Sequence, residues 1–428
     1  MIYSARIKIV LSCFLLSYLH GFAQIKLKSD TAKLPFAIAK EKRLSDDDLN
    51  DKKEGIYITG VPDLSSDPQT GFGAGAEAQF FIDGNRSDPF FAYTPYRAEI
   101  DLSVFYTTKS EREFELVWDI PYIFNTQWRL RGRCDYEVNP DYVFFGVTEN
   151  TLEPLSNLSG NTSDYNTYQQ EEKSANLTLE HSWFKGKVRT LIGYEYASYE
   201  TTTPLDNNSL LNEEAMAGLI TGYGASHTGL VQLGIIYDTR DLEDDPSGGS
   251  YIELTNEYSS TSLGSQFNYN RSFFHYNYYH RLFPQAFKKL VFAARVGLGY
   301  TSGNAPFYEY LDQWTSEGDI DGLGGAQSLR GYTQSRFVAP AMALANIEIR
   351  YRFAETDVLK QHLAFYVIPF FDAGGIGNTL DRVGNFENLR FSEVPGAQIA
   401  WNEDTILRFD LGICPEGAQF YFGIGQIF

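Results

Sequence analysis

Hydrophobic and polar residues alternate one by one along most of the chain after residue 54. Between Trp128 and Tyr136, large apolar residues, a glycine and a cysteine occupy one face, and three arginines and an aspartate occupy the other. The stretch 346–353 repeats this arrangement, with isoleucine, tyrosine and phenylalanine opposite asparagine, glutamate and arginine. A period of two residues is typical of β-strands, whose side chains point alternately to the two faces of a sheet.

The polar face is charged in strand after strand, and this separates two classes of β protein. A soluble β-sandwich or propeller also alternates, but its inner faces pack into a shared apolar core. A barrel in lipid needs one apolar and one polar face on each strand, and closing the sheet pairs the backbone groups that lipid cannot satisfy. We therefore predict an all-β fold, a transmembrane antiparallel β-barrel of about 16 strands. The predicted strands are 55–62, 70–83, 95–108, 112–121, 127–137, 172–182, 187–200, 228–238, 250–260, 267–282, 289–302, 342–354, 361–373, 391–401, 405–413 and 418–428.

The lengths of the connections orient the predicted barrel. With the N-terminus in the periplasm, the loops after odd-numbered strands face outward, and these include 138–171, 201–227, 303–341 and 374–390. The connections on the other side are short turns, except for 84–94. Long external loops and short periplasmic turns are the asymmetry expected of an outer-membrane barrel.

Composition agrees with an exported β protein and argues against other classes. Hydrophobic residues make up 43% of the chain and aromatic residues 15%. A formal net charge of −20 argues against nucleic-acid binding. Three cysteines are too few for a disulfide scaffold. Cys134 is predicted on the outer face and Cys414 in a turn at a barrel end, so we expect no bridge between them.

The first residues have the features of an export signal. Arg6 and Lys8 precede an apolar run that is too short to span a membrane, and small residues follow it. We predict a signal peptide over residues 1–23, cleaved after Ala23. An uncleaved anchor and lipidation at Cys13 are the alternatives.

A charged segment separates the predicted signal from the first strand. Residues 24–54 carry a helix-start pattern, with Ser45 before Asp48. The segment is too short for a folded accessory domain. We predict a short periplasmic N-terminal segment here, followed by an outer-membrane β-barrel domain over residues 55–428.

The last predicted strand has an aromatic residue at its end. If alternation continues throughout, Phe428 lies on the lipid face with the apolar residues before it, and only Gln426 departs from the pattern. We interpret Gly423 and Phe428 as part of a C-terminal signal for the machinery that inserts barrels. The alternative is that Phe428 is merely the last lipid-facing residue.

Three stretches resemble motifs of a known family, the BamA/TamA family of outer-membrane barrels, also called the bacterial surface antigen superfamily. They are "GGAQSLRGYTQSRF" at 324–337, "YDTRDLEDDPSGGSYIEL" at 237–254 and "FFDAGGIG" at 370–377. In that family a [V/L]RG[F/Y] tip lies on the external loop between strands eleven and twelve, where the strand count places it in this chain. The matching residues are Leu329, Arg330, Gly331 and Tyr332 at the loop tip, Asp238, Arg240, Asp241, Pro246 and Gly249 at a periplasmic turn, and Asp372 on strand thirteen.

The resemblance implies a geometry for the loop. The family's external loop folds back into the lumen, and its arginine contacts acidic residues on the inner wall of strands twelve and thirteen. Carried over, Arg330 is expected to contact Glu348 and Asp372. A guanidinium is a planar fork of donors that suits two carboxylates, and Gly331 allows the loop backbone a close approach. The alternative is a solvated loop arginine.

The resemblance also implies partners, and here the chain departs from the family pattern. BamA-like members carry periplasmic POTRA modules ahead of the barrel, whereas only residues 24–54 separate the predicted signal from the first strand. We therefore expect a member that lacks POTRA domains, with a periplasmic or lipoprotein partner in their place. Outer-membrane lipids are the other expected partner.

Three functions compete. The first is outer-membrane protein or lipid assembly or translocation, working through a weak seam between the first and last strands, because Gly60, Pro62 and Gly425 weaken strand pairing. Ordinary turn or bulge glycines are the alternative there. The second is a passive channel or structural surface protein. The third, a hydrolase, is not favoured: the six histidines stand in no nucleophile motif, and His275 and His280 fall on opposite faces. We expect no catalytic residue, metal or cofactor.

Overall fold

The computed structural model describes residues 33–44, 49, 52–67, 71–108, 110–153, 165–203, 209–243, 245–358, 361–401 and 405–428. The predicted signal peptide with its cleavage after Ala23, and the helix start at Ser45, lie outside the described residues. The first strand of the sheet starts at Gly55.

Sixteen strands form one sheet in chain order, and every neighbouring pair is antiparallel. Two further short strands, β12 and β13, pair only with each other. The strands are β1 (Gly55–Asp67), β2 (Gly71–Gly84), β3 (Ala98–Thr107), β4 (Arg112–Ile120), β5 (Trp128–Val143), β6 (Thr167–Trp183), β7 (Val188–Thr202), β8 (Gly224–Asp238), β9 (Gly249–Ser259), β10 (Tyr269–Arg281), β11 (Leu290–Gly303), β12 (Asp312–Thr315), β13 (Gly318–Asp321), β14 (Ala341–Val358), β15 (Gln361–Gly377), β16 (Leu389–Trp401), β17 (Thr405–Cys414) and β18 (Gly417–Ile424).

Helices are short and lie in the connections. Two α-helices have their full range within the described residues, α1 (Leu210–Met216) and α2 (Leu380–Val383). Short 3-10 helices occupy Lys40–Lys42, Ile123–Asn125, Glu149–Leu152, Phe184–Gly186, Thr261–Leu263, Phe307–Tyr310 and Phe386–Asn388. No helix in the described ranges is long and apolar enough to cross a membrane.

The two faces of the strands divide as the alternation predicts. On β7, Ile192 is 54% exposed on the lipid face, whereas Arg189 is buried inside and faces Glu180 of the neighbouring strand. On β14, Ile347 is exposed while Asn346 and Glu348 are buried. The transmembrane antiparallel β-barrel of 16 strands is therefore confirmed.

The connection between β11 and β14 fills part of the lumen, and we call residues 304–340 the luminal loop. It contains the β12–β13 hairpin, which the sequence analysis did not predict. Leu323, Leu329 and Phe337 of the loop are buried in one cluster with Phe273 and Leu344 of the barrel wall. The loop therefore folds back into the lumen, as the motif resemblance implies, and it also has an apolar core against the inner wall that was not predicted.

The end of the chain differs from the prediction. Strand β18 ends at Ile424, and Gly425 turns the backbone with a φ of +82°. Phe428 does not lie on the lipid face: its ring packs inside against Tyr279, and its carbonyl oxygen accepts a hydrogen bond from Arg350 at 2.8 Å. Arg295, whose guanidinium lies 5.0 Å from the Phe428 ring centroid, supplies a cation–π contact. These buried donors outweigh continuation of the strand, and the insertion signal at Gly423 and Phe428 stays a prediction.

The segment before β1 lies across the periplasmic turns. The Ala39 amide donates to the Lys185 carbonyl at 2.9 Å. The Lys42 ammonium is 2.8 Å from the buried Asp238 carboxylate, and Leu44 packs against Phe91. The N-terminal segment is thus tied to several hairpins at once.

We expect Lys42→Met to loosen this segment, because it removes a charge-assisted contact worth roughly 1.5–3 kcal/mol. Chymotrypsin should then cleave near Phe36 several-fold faster than in the wild type. The matched control is Lys40→Met, since Lys40 is exposed on the same short helix. Equal cleavage rates in the two variants would show that the Lys42 contact does not hold the segment.

Candidate functional site

Glycines let the tip of the luminal loop reach the wall. Gly331 has a φ of +102°, which favours glycine, and its amide donates to the Tyr421 hydroxyl of β18 at 2.9 Å. A Cβ on Gly412 of β17 would lie 2.2 Å from the Gly331 nitrogen. The loop backbone and the wall therefore touch directly, with no space for a side chain between them.

Arg330 is the centre of the site and is fully buried. Its Nε and Nη2 atoms donate to the two carboxylate oxygens of Asp372 at 2.8 Å each, and its backbone amide donates to the same group at 3.2 Å. Its Nη1 atom donates to Glu348 at 3.0 Å and to Asp410 at 3.3 Å. Both contacts expected from the resemblance are present, and Asp410 of β17 is a third partner that the sequence analysis did not assign.

The surrounding charges balance. Arg350 pairs with Glu348 at 2.9 Å, and Arg408 pairs with Asp410 at 3.0 Å. We call these six residues (Arg330, Arg350, Arg408, Glu348, Asp372 and Asp410) the anchor cluster. With three guanidinium groups and three carboxylates its formal charge is zero, so ions that would be costly to bury singly are compensated.

The environment keeps Arg330 charged. Burial alone would lower the pKa of its guanidinium, but Asp372, followed by Glu348 and Asp410, raises the pKa above its ordinary value. The Phe370 ring adds a cation–π contact at 3.3 Å. The loop arginine is therefore a permanent cation held inside the barrel.

The two apolar residues of the tip fill the loop's own core. Leu329 is fully buried, and Tyr332 packs edge-on against Phe337 with ring centroids 5.0 Å apart. Burial raises the pKa of the Tyr332 phenol to about 12. All four residues of the tip therefore hold the loop in place rather than face an open channel.

The second motif forms the turn between β8 and β9. Asp238 accepts from the Arg240 amide at 2.9 Å, and the Asp241 carboxylate caps the amides of Ser247 and Gly248. A Cβ on Gly249 would lie 2.2 Å from the Thr239 carbonyl oxygen, so glycine is required there. Pro246 is buried in the same turn. The motif residues build one rigid turn.

This turn also holds the far end of the luminal loop. Arg240 donates to Glu317, at the tip of the β12–β13 hairpin, at 3.1 Å. The neighbouring Ser316 amide donates to Glu253 of β9 at 3.0 Å, and its carbonyl accepts from Arg131 of β5 at 2.6 Å. The loop is therefore a strut through the lumen, fixed at the anchor cluster and at a periplasmic turn.

Two features of the site were missed, Asp410 and the β12–β13 hairpin. The sequence contains a usable signal for Asp410 but hardly any for the hairpin. Asp410 was already on the predicted inner face of its strand, so alternation made it available as a partner of Arg330. The hairpin has only a "SEGD" turn between short alternating segments, which is too little for a period to be recognised. The described residues contain no group of three or more His, Cys, Asp or Glu side chains that could hold a metal ion.

Comparisons with known proteins agree with the geometry. A family model described as the Omp85 superfamily domain matches residues 95–428, and a model of a domain of unknown function (DUF5982) matches residues 34–97. No curated protein matches. Among solved structures, BamA from Haemophilus ducreyi lacking POTRA domains 1–3 is 17% identical, with a TM-score of 0.53 over 87% of this chain and 70% of that one. CdiB from Escherichia coli is 9% identical, with a TM-score of 0.52 over 86% of this chain and 62% of that one. At these identities the likeness concerns the fold.

Removing the loop arginine should release the tip. Arg330→Ala leaves buried carboxylates without their shared cation, which should cost roughly 3–5 kcal/mol. We expect faster cleavage of the luminal loop by external protease and a lower temperature for heat modifiability on gels. Asp372→Asn should act in the same direction.

A matched control is Arg382→Ala. Arg382 lies on external helix α2 and pairs with Glu149 at 2.7 Å, but its side chain is 53% exposed. An exposed pair is worth about 0–1 kcal/mol, so this variant should behave as the wild type. If Arg330→Ala and Asp372→Asn matched the control, the anchor cluster would not be what holds the loop.

The hairpin should respond to pH. Desolvation in the lumen, together with the nearby Asp312, raises the pKa of Asp319 and of Asp321 to about 7, although the Asp319 side chain is 42% exposed and lies 3.2 Å from Arg133. A carboxyl whose pKa is raised in the docked state favours docking when it is protonated, so docking should strengthen as the pH falls through this value. In planar bilayers, current flicker should therefore be greater at about pH 8 than at about pH 5. The Asp319→Asn/Asp321→Asn double variant should lose that difference.

Proposed function

This chain belongs to the Omp85 superfamily, and we propose that it acts at the outer membrane in the assembly or translocation of proteins or lipids together with partner proteins. The observation that carries the proposal is the luminal loop, which is held at both ends. A passive pore needs a lumen that stays open, whereas here Arg330 and Glu317 fix a strut inside it. The proposal includes no catalytic step.

The edges of the sheet support a wall that can open. Strand β1 stands at one end of the strand order and β18 at the other, and no ladder joins their described residues. Strand β18 pairs with β17 through Leu407–Cys414 only. Free strand edges are templates for added strands, so this seam offers a route for a client strand or lipid from lumen to membrane.

The proposal includes two kinds of partner, lipids around the barrel and a protein on its periplasmic side. The exposed apolar residues of the outer face, such as Ile192 and Leu254, suit outer-membrane lipids. On the periplasmic side we propose a periplasmic or lipoprotein partner. The described part of the N-terminal segment does not cover all the turns on this side. Phe124 and Phe184, which lie in two of these turns, are 89% and 78% exposed.

One observation favours a passive channel as the second candidate. A cavity of about 1630 Å³ remains beside the luminal loop. If this space joined both ends of the barrel, ions would pass without a partner. The two candidates therefore differ in conductance and in what binds to the barrel.

Bilayer recordings and co-purification together test the proposal. We expect the wild type to show low, flickering conductance, because the loop obstructs the lumen. A variant with residues 312–321 replaced by a short Gly-Ser linker should conduct more and more steadily. Purification from native membranes should bring a periplasmic or lipoprotein partner with the wild type.

The opposite results would favour the second candidate. Large, steady wild-type conductance that the linker variant leaves unchanged, with no co-purifying protein, indicates a passive channel. Gly-Ser replacement of residues 261–263 is the matched control, because this short helix between β9 and β10 contains no buried residue and lies in another external loop.

A further inference from the structure

The remaining cavity is strongly acidic. Its lining includes 18 aspartate and glutamate side chains but only 7 arginines among the described residues. The arginines already have partners: Arg271, for example, contacts Glu309 at 3.4 Å and Asp312 at 2.6 Å, and Arg133 contacts Asp135 at 2.8 Å. The lining therefore contains more carboxylates than its arginines can pair with.

Part of this lining forms a patch on the inner face of β5, β6 and β7. In the strand register, Glu137 lies opposite Glu172, Tyr142 opposite Tyr168, and Glu172 opposite Tyr199. Glu195 lies on the same face of β7, four residues before Tyr199. We call these six residues (Glu137, Glu172, Glu195, Tyr142, Tyr168 and Tyr199) the carboxylate–tyrosine face, and all of them line the cavity.

The carboxylates of this face have no cationic partner in the part of the chain that the structure describes. Glu137 accepts from the Tyr142 hydroxyl at 2.6 Å, and Glu195 accepts from the Gln232 amide at 3.3 Å. Both donors are neutral. Three carboxylates on adjacent strands thus face one space without an ion-pair partner among the described residues, in contrast to the balanced anchor cluster. Arg133 acts on Glu172 at longer range but is itself paired with Asp135.

Two buried polar groups beside them also lack partners among the described residues. The Tyr168 hydroxyl and the Gln170 amide nitrogen form no hydrogen bond, although Tyr168 is 1% exposed and Gln170 is 5% exposed. Both residues line the cavity. A hydroxyl can accept as well as donate, so the Tyr168 hydroxyl can accept from a donor on a ligand. The Gln170 amide nitrogen is a donor and would be satisfied by an acceptor such as a peptide carbonyl.

Aromatic rings complete the face. Tyr142 and Tyr168 stack with centroids 5.4 Å apart, and Tyr199 stacks on Tyr308 of the luminal loop at 3.9 Å. Carboxylates together with tyrosine rings are the environment in which ammonium and guanidinium groups bind, through ion pairs and cation–π contacts. The chemistry therefore points to an organic cation that also donates hydrogen bonds.

We infer that the carboxylate–tyrosine face binds lysine and arginine side chains of an extended polypeptide segment inside the lumen. This inference rests on the proposed function, and it names the class of client segment that the barrel accepts. In an extended chain every second side chain repeats at roughly 6.5–7 Å, which is also the repeat of inward-facing positions along a barrel strand. A basic segment can therefore contact carboxylates on several strands at once.

Binding of labelled peptides to the purified full chain in detergent tests the inference. The probe is a short fluorescent peptide of alternating lysine and alanine, and the comparison is the same peptide with glutamate in place of lysine. We expect the basic peptide alone to bind. The triple variant Glu137→Gln/Glu172→Gln/Glu195→Gln should weaken binding by roughly tenfold or more.

Two further variants make the test specific. Glu171→Gln changes the next residue of β6, on the opposite face, where its carboxylate pairs with Lys173, so it should bind as the wild type. Tyr168→Phe removes only the unpartnered hydroxyl and should weaken binding by a few-fold. Heat modifiability confirms folding, and if the triple variant fails to fold, Glu172→Gln and Tyr168→Phe decide.

Several outcomes would overturn the inference. These are unchanged binding in the folded glutamine variants, equal loss in Glu171→Gln, and cation-selective ion currents from a barrel that binds no basic peptide. The proposed function and the peptide-binding site can fail independently of each other. If depletion of the protein left outer-membrane assembly and translocation intact while peptide binding depended on the face, the function would fail and the site would stand. A depletion defect without peptide binding would mean the reverse.

Discussion

The burial of the Arg330 guanidinium is the constraint on which the rest of the structure depends. A fully buried cation is stable only if carboxylates meet it, and here Asp372, Glu348 and Asp410 come from three different strands. Those strands have to be in register for the carboxylates to converge. The loop therefore needs the wall from β14 to β17 in register, and that wall needs the loop arginine, since without it a surplus of buried negative charge would remain. Glycines at 331 and 412 permit the contact by removing side chains from the interface.

The same constraint divides the lumen into two halves. The wall from β14 to β17 faces the luminal loop, and its arginines and carboxylates cancel within the anchor cluster. The wall from β5 to β7 lines the cavity and also contacts the luminal loop, since Tyr199 stacks on Tyr308. Glu137, Glu172 and Glu195 of this wall have no ion-pair partner among the described residues. The luminal loop does not neutralise them, because it adds Glu309, Asp312, Glu317, Asp319 and Asp321 to the cavity lining. The acidity of the cavity thus comes from the wall and from the loop together.

Local sequence determines much of this arrangement, and distant contacts determine the remainder. Strand positions follow from alternation, because an error of one residue would place charges such as Arg129 and Arg131 in lipid. Two partners of Arg330, Glu348 and Asp372, could be predicted from the motif resemblance. Asp410 was not assigned, since alternation gives the face of a residue but not its distance from a loop. The inward turn of Phe428 depends on Arg295 and Arg350, which lie far away in sequence, so an apolar pattern that continues to the end could not reveal it.

The periplasmic end links the loop to the N-terminal segment through shared arginines. Asp238 contacts Lys42, Arg189 and Arg240, while Glu317 of the hairpin contacts the same two arginines. Arg240 bridges the two carboxylates at once, because its Nε atom donates to Asp238 at 3.2 Å and its Nη1 atom donates to Glu317 at 3.1 Å. Burial of these charges is tolerated because each one meets an opposite charge. The N-terminal segment and the strut inside the lumen are thus joined through one buried network, in which Asp238 contacts both Lys42 and the arginine that holds the hairpin.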